Sequence, residues 1–128
     1  MSNLAILALA VIQALNTHRA DLSAGKLKED KKLSAAAQEH CQEMLRTHRM
    51  APMPAAIVTA GNKRYVKFQE LINHPRGARP TAESQLAFYL KHDDLRVTVD
   101  DADMNRIGSG VACGQGECYA SVFIVQYK

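Results

Sequence analysis

Tryptophan is missing from this 128-residue chain, and aromatic residues together make up only 5% of it. Binding of single-stranded nucleic acid needs aromatic platforms interleaved with a basic stripe. Neither is present. The net charge is +3, and Lys26, Lys28, Lys31 and Lys32 alternate with Glu29 and Asp30, the pattern of a solvated face. Nucleic acid is not expected as a partner. Long hydrophobic runs are missing too. The longest, Leu4 to Ile12, falls short of the ~20 residues that span a bilayer. It has no basic residue before it and no small-residue cleavage site after it. Leu4, Leu7, Ala8, Val11 and Leu15 recur at helical spacing, so the run is expected to open a buried helix, with no integral membrane span.

Cysteine is scarce, with three in the chain. No second close Cys or His pair accompanies them, which argues against a structural zinc site. Cys113 and Cys118 bracket Gly114-Gln115-Gly116-Glu117, a hairpin-loop composition that can hold its flanking residues at disulfide distance. A disulfide between Cys113 and Cys118 is therefore expected, with Cys41 left as a free, buried thiol. Gly-x-Ser-x-Gly does not occur, so a nucleophile elbow has no support. Gly108 and Gly110 alternate on one strand face without a helix behind them, which is not a nucleotide loop. They are expected to let a helix or side chain approach the sheet.

The length suits one domain over residues 1–128, and no repeat, low-complexity segment or linker interrupts it. Periodicity places a first helix over residues 3–20. Asp30 is an N-cap for a second helix reaching about Thr47, with Leu33, Ala36, Ala37, Cys41 and Met44 on its inner face. Pro52 and Pro54 end helical character, and residues 50–63 read as irregular, with Ile57 and Val58 needing cover. Tyr65 to Ile72 alternates as a strand. Thr81 caps a third helix to about Lys91. Leu95 to Val99 reads as a short strand or extended segment, and Asp100, Asp101 and Asp103 as an acidic turn. Strands over about Arg106–Cys113 and Cys118–Tyr127 close the chain. The last is apolar on both faces and so must be covered on both sides. The expected fold is α+β: a three-layer α/β/α sandwich around a small, mainly antiparallel sheet.

Asn16, Arg19, Leu27, Leu33, Ala37, His40 and Met44 carry a resemblance at matching spacings, as do Pro80-Thr81-Ala82-Glu83, His92 and Ile107-Gly108-Ser109-Gly110-Val111-Ala112. On these residues the chain resembles the CAP superfamily, or SCP-like proteins, which includes cysteine-rich secretory proteins, insect antigen 5 and plant pathogenesis-related proteins. The resemblance implies an extracellular or secreted protein. It also implies a cleft in which His48, Glu70 and His92 converge. The chain departs from the family there. His48 follows Met44 by four residues where the family's His follows by about eight. The family's Gly-Glu-Asn is Gln69-Glu70-Leu71. The Trp and Ser-Pro-Gly near the second His are Phe88-Tyr89-Leu90-Lys91, and no residue clearly supplies a second acid.

Each candidate also has a plain structural reading. Glu70 shares a strand face with Val66, Phe68 and Ile72, so it either finds a polar partner or sits wet at the strand end. His48 and His92 fall at helix ends, where an imidazole suits the dipole. His40 lies on a helix stripe with Met44 and Thr47 and reads as a packing histidine; His74, beside Pro75, reads as exposed. No cofactor is required. Facing imidazoles of His48 and His92 could hold a divalent metal such as zinc, weakly, because a complete site needs a further ligand.

Three functions follow. One is a non-enzymatic extracellular module that binds a small hydrophobic ligand, with lipid or sterol as a class implied by the resemblance, or a protein partner, through the His/Glu cleft. Another is a structural or interaction domain with a degenerate cleft. A third is a hydrolase with Cys41 or Ser84 as nucleophile and His48 or His92 as base.

Overall fold

The structure, a computed structural model, describes residues 2–54, 62–77 and 79–128; Ile57 and Val58 lie outside the described residues. Helix α1 (Asn3–Asp21) is followed by β1 (Lys28–Glu29), α2 (Lys31–Thr47), β2 (Tyr65–Asn73), α3 (Ala82–Lys91), α4 (Asp93–Asp100), β3 (Arg106–Gly114) and β4 (Glu117–Tyr127). The strands form one sheet in the order β1-β3-β4-β2, with β1 parallel to β3 and the other pairs antiparallel. The α+β fold expected from the pattern is the one observed.

Strand β4 is internal, as its two apolar faces require. Val122 and Ile124 pack with Val11, Leu15, Tyr89 and Val99 in the layer of α1, α3 and α4. Phe123 and Val125 pack with Leu33 and Ala37 of α2 on the opposite side. Helix α2 lies very close to β3 because Gly108 and Gly110 have no side chains. A Cβ at Gly108 would sit 2.2 Å from the Leu33 carbonyl carbon, and one at Gly110 would sit 2.4 Å from the Gln38 nitrogen.

Side-chain caps fix where the elements begin. The Asp30 carboxylate accepts from the Lys32 and Leu33 amides and from the Tyr65 hydroxyl, at 3.0, 3.3 and 2.7 Å. This seats the start of α2 against β2. Burial alone would raise the Asp30 pKa, but these hydrogen bonds and Arg106 hold it below the usual range. Thr81 and Ser84 form a reciprocal capping box at α3.

Asn16 and Arg19, at the end of α1, hold the following turn. Asn16 both donates to the Leu27 carbonyl and accepts from the Leu27 amide, at 2.9 and 2.7 Å. Arg19 is fully buried and donates to the carbonyls of Ala24, Gly25, Val99, Asp101 and Met104. One guanidinium thus ties the end of α1 to the end of α4 and the entry to β3.

Two elements differ from expectation. Residues 95–99, read as extended, lie within helix α4, which carries Asp93 and Asp94 in its first turn. The β-branched Val97, Thr98 and Val99 favour strands, but burying Val99 and Thr98 against the core outweighs that preference. The final hairpin is tighter than the expected four-residue loop. Gly114 pairs with Glu117, leaving Gln115 and Gly116 as the turn, at φ +53° and +80°. Two consecutive positive φ values are the signature of a type I′ turn. Cys113 and Cys118 are direct cross-strand partners, 4.1 Å apart at Cα, and are disulfide-bonded.

Cys41 is free and buried, and burial together with the Glu70 carboxylate pushes its thiol up to about 12. At neutral pH it is a protonated, inert group. Titration with a thiol reagent is expected to find no reactive cysteine in the native protein, one after unfolding without reductant, and all three after unfolding with reductant. A thiol that reacts in the native state would contradict this packing.

Candidate functional site

Glu70 is central to the polar part of the α2 side of the sheet. It stands on β2 between Phe68 and Ile72, directly opposite Phe123 of β4. Its partners come from other elements. The His40 Nδ1 is 2.7 Å from Glu70 Oε2, and the Ser121 hydroxyl donates to the same oxygen at 2.7 Å. The Met53 amide donates to Oε1 at 2.7 Å. The His40 and Glu70 side chains are only 8% and 5% exposed. His40 reaches this position because it follows Leu33 and Ala37 along the buried stripe of α2. The apolar strand face did require a polar partner for Glu70, and that partner is His40, the histidine read from its stripe as a packing residue.

His48 lies elsewhere. It caps α2 in the left-handed region, at φ +54°, and its Nδ1 is 2.9 Å from Glu117 Oε1 at the start of β4. His74 approaches the other oxygen of that carboxylate, with Nε2 3.7 Å from Oε2. Its ring stacks on Tyr119, with centroids 4.0 Å apart. His74 is thus largely covered, contrary to the exposed loop expected from Pro75. Pairing explains this: Cys118 donates to the Pro75 carbonyl and Gly77 to the Gly116 carbonyl, so the loop lies along the hairpin.

His92 forms the exposed junction of α3 and α4, its ring 4.5 Å from that of Phe88. Among the described residues, no hydrogen bond or ion pair links Glu70 to His48 or to His92. The structure brings together His40 with Glu70, and His48 with His74 and Glu117. The acid on which two histidines converge is therefore Glu117 rather than Glu70. Only the strand-start position of Glu117 beside Cys118 could have suggested it.

The two imidazoles set the electrostatics of Glu117. The hydrogen bond from His48 is the main cause, and it holds the carboxyl below its ordinary range against the opposing effect of burial; the charges of His48 and His74 add to it. A depressed carboxyl contributes stability at pH values above its unfolded pKa, and that contribution is lost as pH falls through the folded value. His48→Ala is expected to raise the Glu117 pKa toward the ordinary carboxyl range. NMR titration of the Glu117 carboxyl carbon measures this, and an unchanged midpoint would exclude the pairing.

The groups read as nucleophiles are otherwise engaged. The Cys41 thiol is buried and protonated. The Ser84 hydroxyl donates to the Thr81 carbonyl and accepts from the Thr81 amide, on the exposed start of α3. Among the described residues, no group of three or more His, Cys, Asp or Glu is placed to hold a metal ion, and no helix is long and apolar enough to cross a membrane.

A family profile described as the cysteine-rich secretory protein family, CAP, matches residues 12–127. No curated protein matches the sequence. Solved structures match in fold. An outer surface protein from Borrelia burgdorferi superposes with a TM-score of 0.79 at 13% identity, over 92% of this chain and 90% of that one. A cysteine-rich secretory protein from Staphylococcus aureus gives 0.77 at 12% identity, over 98% of this chain and 40% of that one. Venom allergen-like protein 4 from Schistosoma mansoni gives 0.72 at 11% identity, over 100% and 91%. At these identities the likeness concerns the fold.

Proposed function

Because this chain belongs to the cysteine-rich secretory protein family, we propose that it is a non-enzymatic extracellular module that works by binding a partner, with the residues expected to line a His/Glu cleft turned to structural use. The observation that carries this reading is the engagement of Glu70 by three donors. His40, Ser121 and the Met53 amide all lie at 2.7 Å from its carboxylate. A carboxylate engaged this way and closed from solvent has little capacity left for a substrate or a metal ion. The positions of Cys41 and Ser84 give the hydrolase alternative no support, since neither is hydrogen-bonded to an imidazole among the described residues.

An extracellular setting is supported by the hairpin disulfide, which persists in oxidising compartments. It is also supported by fold relatives described as a cysteine-rich secretory protein from Staphylococcus aureus and an extracellular SCP-domain protein from Bacillus anthracis.

The test combines turnover with stability. p-Nitrophenyl acetate hydrolysis is expected at the buffer rate, unchanged by His48→Ala or His92→Ala. Glu70→Gln and His40→Leu are expected to lower the urea midpoint, because each leaves a buried polar partner unpaired, at about 1–3 kcal/mol per group. Turnover above buffer that disappears in either surface-histidine variant would overturn the reading.

A further inference from the structure

The sheet has an incomplete edge. Strand β1 covers β3 only at Arg106 and Ile107. There the ladder is made by Lys28 donating to the Asn105 carbonyl and Asp30 donating to the Ile107 carbonyl. The odd-numbered residues of β3 therefore turn their backbone groups outward, and the next two in line are Ser109 and Val111. Among the described residues, no strand meets them. Their amides are taken instead by side chains of α2: Ser109 donates to Ser34 Oγ at 3.2 Å and Val111 donates to Gln38 Oε1 at 3.0 Å.

A groove opens over this edge. It has a volume of about 660 Å3, with Leu4, Ala5 and Leu9 of α1 on one side, Ser34 and Gln38 of α2 on the other, and Ser109 between them. A second cavity of about 540 Å3 adjoins it along the outer side of β1, and the two share Leu9 and Glu29. Together they follow the sheet edge. Their charged lining is Lys26, Lys28 and Lys31 against Glu29, and Glu29 already accepts from the Ser34 hydroxyl at 2.9 Å. Lys31 and Glu29 offset each other beside Ser109, and the net positive charge comes from Lys26 and Lys28 at the β1 end of the combined groove.

We propose that this groove takes an extended peptide segment bearing acidic side chains, which adds to β3 in line with β1 and replaces Ser34 and Gln38 as partner of the Ser109 and Val111 backbone. This rests on the binding-module reading and names the partner's chemistry. Three features point to a peptide. Ser109 lines the groove, and its amide and that of Val111 two residues on are main-chain donors in strand register. The side chains now satisfying them, Ser34 and Gln38, are neutral. The wall of α1 offers apolar contacts to alternate side chains of a strand. Lys26 and Lys28 at the β1 end, with Lys31 beside Glu29, supply the preference for acidic residues.

The test is an amide NMR titration of the whole protein with a blocked octapeptide alternating threonine and valine and carrying two glutamates. The expected result is displacement and added exchange protection at the Ser109 and Val111 amides. The same peptide with proline at alternate positions lacks the ladder donors and is expected to leave those amides unmoved. Lys31→Glu is expected to weaken binding up to about fivefold, the equivalent of one exposed ion pair. Ala35→Glu, at an exposed position of α2 on the groove wall, is expected to abolish it while the fold is retained.

A titration with sodium oleate provides the contrast. Shifts on the α1 wall with oleate, combined with unmoved Ser109 and Val111 amides with the peptide, would overturn the proposal in favour of a lipid. Equal response to the proline peptide, or no response to any probe, would also overturn it. These outcomes leave the binding-module reading to stand or fall on the absence of turnover.

Discussion

Gly108→Ala is expected to unfold the protein or to cost at least about 3 kcal/mol, at or above the upper end of ordinary overpacking penalties. Most inserted methyl groups meet side chains that can rotate away. Here the new Cβ would lie 2.2 Å from the Leu33 carbonyl carbon and 2.3 Å from the Ser34 nitrogen, both backbone atoms of α2. Relief requires the helix to move as a unit. That movement would separate Leu33 and Ala37 from Phe123 and Val125, and would pull Ser34 and Gln38 from the β3 edge. Gly110→Ala meets the same obstacle at Gln38 and Ala37. Gly114→Ala is the control, since its Cβ would meet only the Leu45 side chain, at 3.5 Å. Urea denaturation of the three variants measures the difference. Gly108 and Gly110 variants within about 1 kcal/mol of wild type would disprove the close approach.

Arg19→Met is expected to cost at least about 3 kcal/mol, since several buried carbonyls lose a donor at about 1–3 kcal/mol per group. Arg19 directs its donors at the Gly25, Val99, Asp101, Ala24 and Met104 carbonyls, four at 2.8 Å and the last at 3.1 Å. A guanidinium offers five N–H groups in a planar fork, which matches this set. Methionine fills the volume but removes every guanidinium donor, although the Asp101 carbonyl still accepts from the Met104 amide. Burial lowers the Arg19 pKa, while Asp101 and Asp100 act in the opposite direction. The group stays charged because no side chain other than arginine titrates so high. Arg19→Lys keeps a charge but has three donors, so it is expected to recover only part of the loss. Hydrogen exchange locates the effect: protection should fall first at Ala24 to Leu27 and along α4. An Arg19→Met variant with a wild-type midpoint would show that solvent reaches these carbonyls.

How the polar residues pair illustrates the reach of the sequence. Glu70 was legible as a residue in need of a partner, because strand alternation places it on one face with Phe68 and Ile72. Its partner was not legible. His40 is 30 positions away and Ser121 is 51 positions away, and periodicity states which face a side chain occupies without stating what lies across from it. His48 and His92 were marked by their places at helix ends, and both do cap helices. Which acid His48 meets depended on how the hairpin folds back toward the end of α2. His74 was misjudged because proline nearby suggested an open loop, whereas the loop backbone pairs with β4.

The sequence by itself determined α1, α2, α3 and the three long strands, because their apolar positions repeat at the periods of helix and strand and their caps are local. It determined that β4 is internal, that Cys113 and Cys118 are joined, and that β3 carries glycines for a close neighbour. Tertiary structure alone decided that residues 93–100 form a helix, that the hairpin turn spans two residues, and that His40 rather than His48 or His92 closes on Glu70. It also decided that β1 stops after two residues and leaves β3 with an edge. The physical reason is common to these cases. Periodicity and capping act within a few residues, while the helix–sheet registers that choose partners are set by packing between segments far apart in the chain.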